Sequence, residues 1–471
     1  VATFLNPVID SDLADPTIIR VGDTYYSAGS SYNWEPIYPI YKSDDLVNWT
    51  QVGNVFGRKP EWSSTGFWAP EFFQHNGKFY CYYSAGRESD GKHCLCAAVA
   101  GSPEGPYTDL GVMLDSGTEQ IDSYMFDDDG QLYVTWKAHG LDKVPDEIAC
   151  SKVADDGFTL YGEPFTIVRD DERLGMEGQC MFKRNGWYYI LYSAKSCCGP
   201  GSNYEVRLAR SKSVEGEWEK YPGNPILAGN GEPVQALGHG SVVETPDGRL
   251  FYLCHAYLTE PDFFLSRRPF LSELVCTEDG WVACTTGSVA SVIQNTPFPG
   301  TIQQPRTCFE DDFKSDTLAP SWSRPIAHPS LAANSLSQTT FIRCQRPFKQ
   351  DYNVTLSVKE GAAALKGLIF FGSFADFVTL AVEGETIVLR SAMGDVNMVL
   401  RSWPIPEGDI SFHASVEDAV SATFSWSAGE TSETYEETVQ LTPLMRWDSS
   451  FRVGIVSSEQ STTPFSHFMI D

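Results

Sequence analysis

Over residues 1–300 apolar and polar positions alternate in short runs, and five times a turn glycine precedes an aromatic-rich run. The segments are Val21-Gly-Asp-Thr-Tyr-Tyr26, Asn76-Gly-Lys-Phe-Tyr80, Asp129-Gly-Gln-Leu-Tyr133, Asn185-Gly-Trp-Tyr-Tyr189 and Asp247-Gly-Arg-Leu-Phe251. Glycines 22, 77, 130, 186 and 248 lie 55, 53, 56 and 62 residues apart. Asn-Gly and Asp-Gly ahead of β-forming residues predict tight hairpins, because both central positions need positive φ. A third run follows at 37–41, 94–98 and 205–209, and a Ser-to-Trp segment closes the unit at 43–49 and 213–218. No long helical periodicity intervenes. A four-stranded unit repeated five times predicts an all-β chain that opens with a five-bladed β-propeller.

A Pro- and Gln-containing stretch, 296–305, reads as a linker. Beyond it the pattern changes to strict alternation at 352–358 and 385–390, with a fully apolar run around 367–372. That pattern predicts a β-sandwich. The expected domains are therefore a propeller over 1–300 and a sandwich over 301–471.

Composition narrows the partners. The 471-residue chain carries 34 basic against 62 acidic residues, a formal charge of −28. Such a surface repels phosphate backbones and anionic lipids, so neither nucleic acid nor membrane is an expected partner. No run of about 18 apolar residues is present to span a bilayer. Val-Ala-Thr-Phe at the start is not a signal peptide, so an exported protein would be the mature form. Twelve cysteines without a paired CxxC pattern point to disulfides and an oxidising compartment, with the pairing undetermined. The sequons Asn48-Trp-Thr and Asn353-Val-Thr fit secretion.

Propeller sites form where the innermost strands converge. Six to nine residues before the turn glycines stand Asp15, Glu71, Asp122, Glu177 and His239, expected at one level of the hub. Ionisable groups gathered in a concavity are functional candidates. Each also has a structural reading. Asp15 precedes Pro16 and suits a turn; Asp122 suits a backbone cap; Glu71 follows Trp68-Ala-Pro and suits a buried hub carboxyl; His239 suits a core imidazole. Two carboxyls suffice for glycosidic cleavage, one protonating the leaving oxygen and the other driving attack at the anomeric carbon. Trp34, Phe67, Trp68 and Tyr124 lie near hub positions as candidate sugar platforms, or as packing between blades.

Ala14-Asp-Pro-Thr-Ile-Ile-Arg-Val-Gly-Asp-Thr-Tyr-Tyr26, Ser43-Asp-Asp-Leu-Val-Asn-Trp49, Phe67-Trp-Ala-Pro-Glu71 and Gly238-His-Gly-Ser-Val-Val-Glu-Thr-Pro-Asp-Gly248 together resemble glycoside hydrolase family 43. The rear module resembles the concanavalin-like sandwich attached to many members. The resemblance implies inverting hydrolysis, with Asp15 as general base, Glu177 as general acid, and Asp122 raising and orienting the acid. It implies substrate binding at Arg267, with Arg268 as a second arginine beside it; Trp68 and Glu71 join it as candidate substrate contacts from their places near the hub. No cofactor is required by the reaction; His239 matches a histidine that in some members holds a hydrated calcium. Ser193-Ala-Lys-Ser-Cys-Cys-Gly-Pro-Gly201 resembles members with a bond between neighbouring cysteines at the site rim.

The activity so implied is exo release of pentoses from arabinose- or xylose-containing polysaccharide or oligosaccharide. An α-L-arabinofuranosidase stands first, with a β-D-xylosidase or dual enzyme beside it and an endo-arabinanase behind; the extra module favours a pocket over an open groove by family analogy. A retaining fructosidase would carry an Asn-Asp-Pro-Asn-Gly opening, where this chain has Ala14-Asp-Pro-Thr17. A non-catalytic carbohydrate-binding propeller would lack Asp15 or Glu177, and both are present.

Overall fold

The computed structural model describes residues 2–139, 145–327, 336–361 and 363–471. It is all-β: among the described residues only Asp262–Leu265 and Thr442–Leu444 are helical, both as short 3₁₀ turns. Two compact units divide the chain. The first comprises Val1–Ile9, Leu13–Thr259 and Arg267–Gln304; the second comprises Asp10–Asp12, Glu260–Ser266 and Pro305–Asp471.

The first unit holds five antiparallel sheets, each formed by consecutive strands. Their opening strands are Thr17–Val21, Trp68–His75, Ile121–Asp128, Glu177–Arg184 and Val234–Glu244. Each opening strand lies beside the next, and the fifth lies beside the first, closing a ring. The five repeated glycines occupy the turns between first and second strands, with φ of 65°, 71°, 101°, 74° and 82°. Asn76, Asp129 and Asn185 precede them at φ 49–52°, so both central turn positions are left-handed, as the Asn-Gly and Asp-Gly pairs require. The ring's seam lies at the chain start, where Thr3–Leu5 pairs with Ile293–Asn295. The Asn6 side chain reinforces it, exchanging bonds with the Leu271 carbonyl (2.9 Å) and N–H (2.8 Å).

The aromatic second strands join neighbouring sheets. Their rings are buried, and a tyrosine hydroxyl then reaches the outer part of the next sheet. Tyr26 donates to Glu104, Tyr82 to the Gly157 carbonyl, Tyr133 to Glu215 and Tyr189 to the Gly280 carbonyl. Tyrosine suits this place because its body is apolar and its tip needs a partner when buried. The Ser-to-Trp motif is a capped turn: Ser43 Oγ accepts the Leu46 N–H, and Trp49 Nε1 donates to the Leu46 carbonyl.

The second unit has two six-stranded antiparallel sheets. One runs Phe309–Asp311, Phe465–Ile470, Tyr352–Val358, Ile410–Glu417, Ser421–Ala428, Thr431–Gln440; the other runs Phe341–Gln345, Arg452–Ser457, Leu365–Phe371, Asp376–Glu383, Thr386–Met393, Val396–Pro404. A single apolar core draws on both, with Leu356, Phe412 and Phe424 from one and Phe370, Leu380 and Ile455 from the other.

The cysteines differ from expectation. Cys197 and Cys198 are bonded to each other, and the other ten are free. Eight of those ten are buried, where cysteine acts as a small apolar residue, so the chain carries one disulfide and no disulfide framework. The Asn48 side chain is engaged within the protein: its amide donates to Asp45 and the Ile302 carbonyl and accepts the Gln304 N–H.

Gly367 is set by close approach, since a Cβ there would stand 2.4 Å from Ala381 Cα. Gly367→Ala is expected to destabilise the second unit by about 1–3 kcal/mol, the usual penalty of overpacking, read as a lower urea midpoint. An unchanged midpoint would mean that the two strands part freely at this point.

Candidate active site

The five opening strands share one backbone device. Just inside the ring each sheet places a residue at left-handed φ: Asp15 (53°), Ala69 (44°), Asp122 (62°), Gly178 (59°) and His239 (49°). In four of the five sheets the ladder register slips at this place. A bulge of this kind re-aims side chains, here toward the ring interior. The freed N–H groups find side-chain acceptors. Ala69 donates to Ser30 Oγ (2.8 Å), Asp122 to Ser84 Oγ (3.1 Å) and His239 to Ser193 Oγ (2.8 Å). Asp15 donates to His255 Nδ1 (3.0 Å), and Gly178 to Asp122 Oδ2 (3.1 Å).

This device corrects the sequence alignment of the hub. Asp15, Asp122 and His239 are equivalent, but Glu177 stands one residue before its sheet's left-handed position and Glu71 two residues after. The residues two places on form a deeper layer: Thr17, Glu71, Tyr124, Cys180 and Ser241. Glu71 belongs there, 8% exposed, accepting a bond from Ser241 Oγ at 2.9 Å. Burial pushes its carboxyl up to about 8, against the pull of the Ser241 and Thr17 hydroxyls. Tyr124 spends its hydroxyl on the Met181 carbonyl at 3.0 Å. Phe67 is fully buried, edge-on to Tyr38, and Trp34 is 6% exposed. Glu71 and Tyr124 therefore serve packing, and strand periodicity is the reason: two residues along a strand is one layer deeper; Phe67, two residues before Ala69, is buried against Tyr38 instead. Trp68 differs, being half-buried with its ring stacked 3.8 Å from His93. It precedes Ala69 as Glu177 precedes Gly178.

The remaining candidates come together. Asp15 Oδ1 lies 3.3 Å from His239 Nδ1, 3.2 Å from His255 Nδ1 and 3.5 Å from Arg267 Nη1. Its Oδ2 accepts from Ser30 Oγ at 2.6 Å. Burial alone would raise this carboxyl, but His239, Arg267 and His255 hold it well below the usual carboxylate range. His255 accepts the Asp15 N–H, and burial lowers it to about 4, so its imidazole is neutral at pH 7. The Tyr204 ring stacks on His255 (5.7 Å, 9°), and its hydroxyl donates to Glu177 Oε1 at 2.9 Å. On the other side His239 Nδ1 lies 3.8 Å from Asp122 Oδ2, which accepts the N–H of Gly178, next to Glu177. A Cβ on Gly178 would meet His239 Cγ at 2.6 Å, so glycine lets the imidazole sit between the carboxylates.

Three participants had no signal in the repeat. Lys137 and His255 come from second strands and Tyr204 from the residue before a third strand, segments read only as aromatic or apolar runs. Lys137 Nζ lies 2.7 Å from Glu177 Oε2 and 3.6 Å from Asp146 Oδ2. It inverts the expected electrostatics in the free protein. Burial favours a neutral Glu177, yet Lys137, His239 and Tyr204 draw it below its ordinary value. Asp122 instead is pushed up to about 6, by burial and by the charges of Glu177 and Asp15 against His239.

Calcium takes 6–8 oxygen ligands. His239 offers a nitrogen that faces two aspartates. Among the described residues no group of three or more His, Cys, Asp or Glu is disposed to hold a metal ion. The residues present do not make a calcium ligand set.

A buried, ionised aspartate joined through imidazoles and a tyrosine to a second carboxylate pair is equipment for general acid–base chemistry. The model of the family "Glycosyl hydrolases family 43" matches residues 4–282, and the chain belongs to that family. Similar curated proteins include a xylosidase/arabinosidase 43B of Humicola insolens, 30% identical over 62% of this chain and 57% of its own. A non-reducing end alpha-L-arabinofuranosidase BoGH43B of Bacteroides ovatus is 30% identical over 71% of this chain and 63% of its own. A beta-xylosidase of Bacillus subtilis is 29% identical over 66% and 63%. The chain thus spans about three fifths of the length of these relatives. Among solved structures, a Bacteroides ovatus GH43B matches with TM-score 0.84 at 21% identity, covering 100% of this chain and 99% of its own. A xylan beta-1,4-xylosidase from Bacillus halodurans matches at 0.83 and 23%, covering 99% and 100%. These two show a shared fold.

Glu71 gives a test of the layer assignment. A carboxyl raised from 4.5 to about 8 contributes stability that is complete below 4.5 and is lost as pH rises toward 8. Glu71→Gln keeps an acceptor for Ser241 and removes that loss. It is expected to match the parent's urea midpoint at pH 4.5, exceed it at pH 8, and leave KM unchanged. A raised KM would return Glu71 to the substrate surface.

Proposed function

We propose that this chain is an inverting, exo-acting glycoside hydrolase releasing pentose units from plant cell-wall polysaccharides or oligosaccharides, α-L-arabinofuranosidase activity foremost. The observation that carries this reading is the setting of Asp15: it lies among His239, His255, Arg267 and Ser30, and the first three hold its carboxyl low, in the ionised form a general base uses. Asp15 takes a proton from water as that water attacks the anomeric carbon. Glu177 gives a proton to the leaving oxygen on the opposite face of the sugar. Inversion needs the two carboxyls about 6.5–9.5 Å apart, with the water between. Asp122 holds the Gly178 N–H and so orients the neighbouring Glu177. Arg267, which also reaches the Tyr32 hydroxyl at 3.4 Å, is placed to bind sugar hydroxyls, and Trp68 on its His93 support is the platform.

On this reading the first unit is a five-bladed propeller, supported by the closed ring of opening strands and the seam pairing. The second is a concanavalin-like sandwich, supported by its two six-stranded sheets over one core. Secretion belongs to the same proposal, supported by the acidic surface and the Cys197–Cys198 bond. No step of the proposed reaction is routed through calcium.

A β-D-xylosidase is the second reading, favoured by the relatives, whose printed names include both activities. Aryl α-L-arabinofuranosides, aryl β-D-xylosides and pentose oligosaccharides, with products separated by chromatography, decide between them. Arabinose release is expected to dominate, with the product's initial anomer inverted by NMR. Asp15→Asn is expected to lower kcat on the order of 10²–10⁴-fold. Release of neither pentose, or full activity in Asp15→Asn, would sink the proposal.

A further inference from the structure

Both oxygens of Glu177 are occupied by donors. Tyr204 donates to Oε1 at 2.9 Å, and the Lys137 ammonium stands 2.7 Å from Oε2. That arrangement fits a carboxylate. A protonated Glu177 would set its O–H against an ammonium that has no acceptor, so the proton donor of the proposed reaction cannot load at Oε2 while Lys137 remains there. Lys137 has a second seat within reach. Asp146 Oδ2 is 3.6 Å from Nζ, and Asp146 Oδ1 is buried without a hydrogen-bond partner among the described residues. Lys137 itself is 7% exposed, so bulk water does not replace either carboxylate.

We propose that Lys137 is a positioning residue that moves between two carboxylates. Seated on Glu177 it holds the acid ionised and in place; seated on Asp146 it releases Oε2 to take a proton from solvent and deliver it to the leaving oxygen. This rests on Glu177 being the general acid. Among the described residues the titratable groups around the pair include Asp122 and His239 toward the ring centre, His139 beside Asp146, and Tyr204 on Glu177. None of them offers Lys137 a third carboxylate as near as 3.6 Å.

The test is the pH profile of kcat/KM, whose alkaline limb reports loss of the acid's proton in the free enzyme. Lys137→Met removes the cation and is expected to move that limb up by at least about one pH unit. Asp146→Asn leaves Lys137 with Glu177 alone and is expected to move it down. Lys137→Arg keeps the charge and should keep the limb near the parent's. Limbs that stay fixed in Lys137→Met and Asp146→Asn, with kcat lowered evenly across pH, would make the lysine a structural group and overturn the proposal.

Glu177→Gln separates this outcome from failure of the acid assignment. It should lose activity on alkyl pentosides and keep most of it on dinitrophenyl pentosides, whose leaving group needs no proton. Full activity on both would remove Glu177 as the acid. The Gln variant behaving as expected while the lysine variants do not would remove only the two-seat lysine. Circular dichroism and thermal melts on each variant confirm that folded protein is being compared.

Discussion

The first unit depends on five left-handed residues at the mouths of its opening strands. Positive φ is unfavourable for any residue with a Cβ, by roughly 1 kcal/mol or more, so the four that are not glycine need compensation from their surroundings. The compensation comes from across the sheet boundary: Ser30, Ser84, Ser193 and His255 each accept the N–H of the next sheet's bent residue. The last of these closes the circuit, since His255 lies in the fifth sheet and Asp15 in the first. Bending the backbone and binding the sheets together are thus one arrangement, and it turns Asp15, Asp122 and His239 inward together.

Much of this was legible in the chain. The five turn glycines fixed the repeat because only a left-handed turn explains Asn-Gly and Asp-Gly at matched intervals. Asp15, Asp122, Glu177 and His239 could be found by counting back from them. Counting failed at Glu71, because the true equivalent is Ala69, a residue with no chemistry to mark it; the bulge, visible only in the backbone, moves the register. Lys137, Tyr204 and His255 were hidden for another reason. Lys137 ends one second strand, His255 lies within another and Tyr204 stands just before a third strand, and nothing in a local run tells that one of its side chains meets a carboxylate from another sheet. The cysteines misled because burial and cross-linking leave the same composition.

The electrostatics divide along the same line. Asp15, beside His239, Arg267 and the Ser30 hydroxyl, is held ionised. Glu177 and Asp122 share a space with one lysine and one imidazole, where Glu177 is drawn below its ordinary value and Asp122 is pushed up. In the proposed reaction this is a sensible division: the base can activate water at any moment, while the donor must reload after every turnover.

Four of the five joints in the ring are made by continuous chain, but the fifth is closed without it: by Thr3–Leu5 lying against Ile293–Asn295, by the Asn6 amide, by the Asp15 N–H on His255 and by the first opening strand lying beside the fifth. Thr3–Leu5 and Ile293–Asn295 are three residues each, and releasing them would leave the five sheets folded and still joined through Asp15 and His255. Opening should begin there, in the manner of a clasp on a bracelet. Amide hydrogens of these short strands would then exchange well ahead of those in the sheets they hold in register.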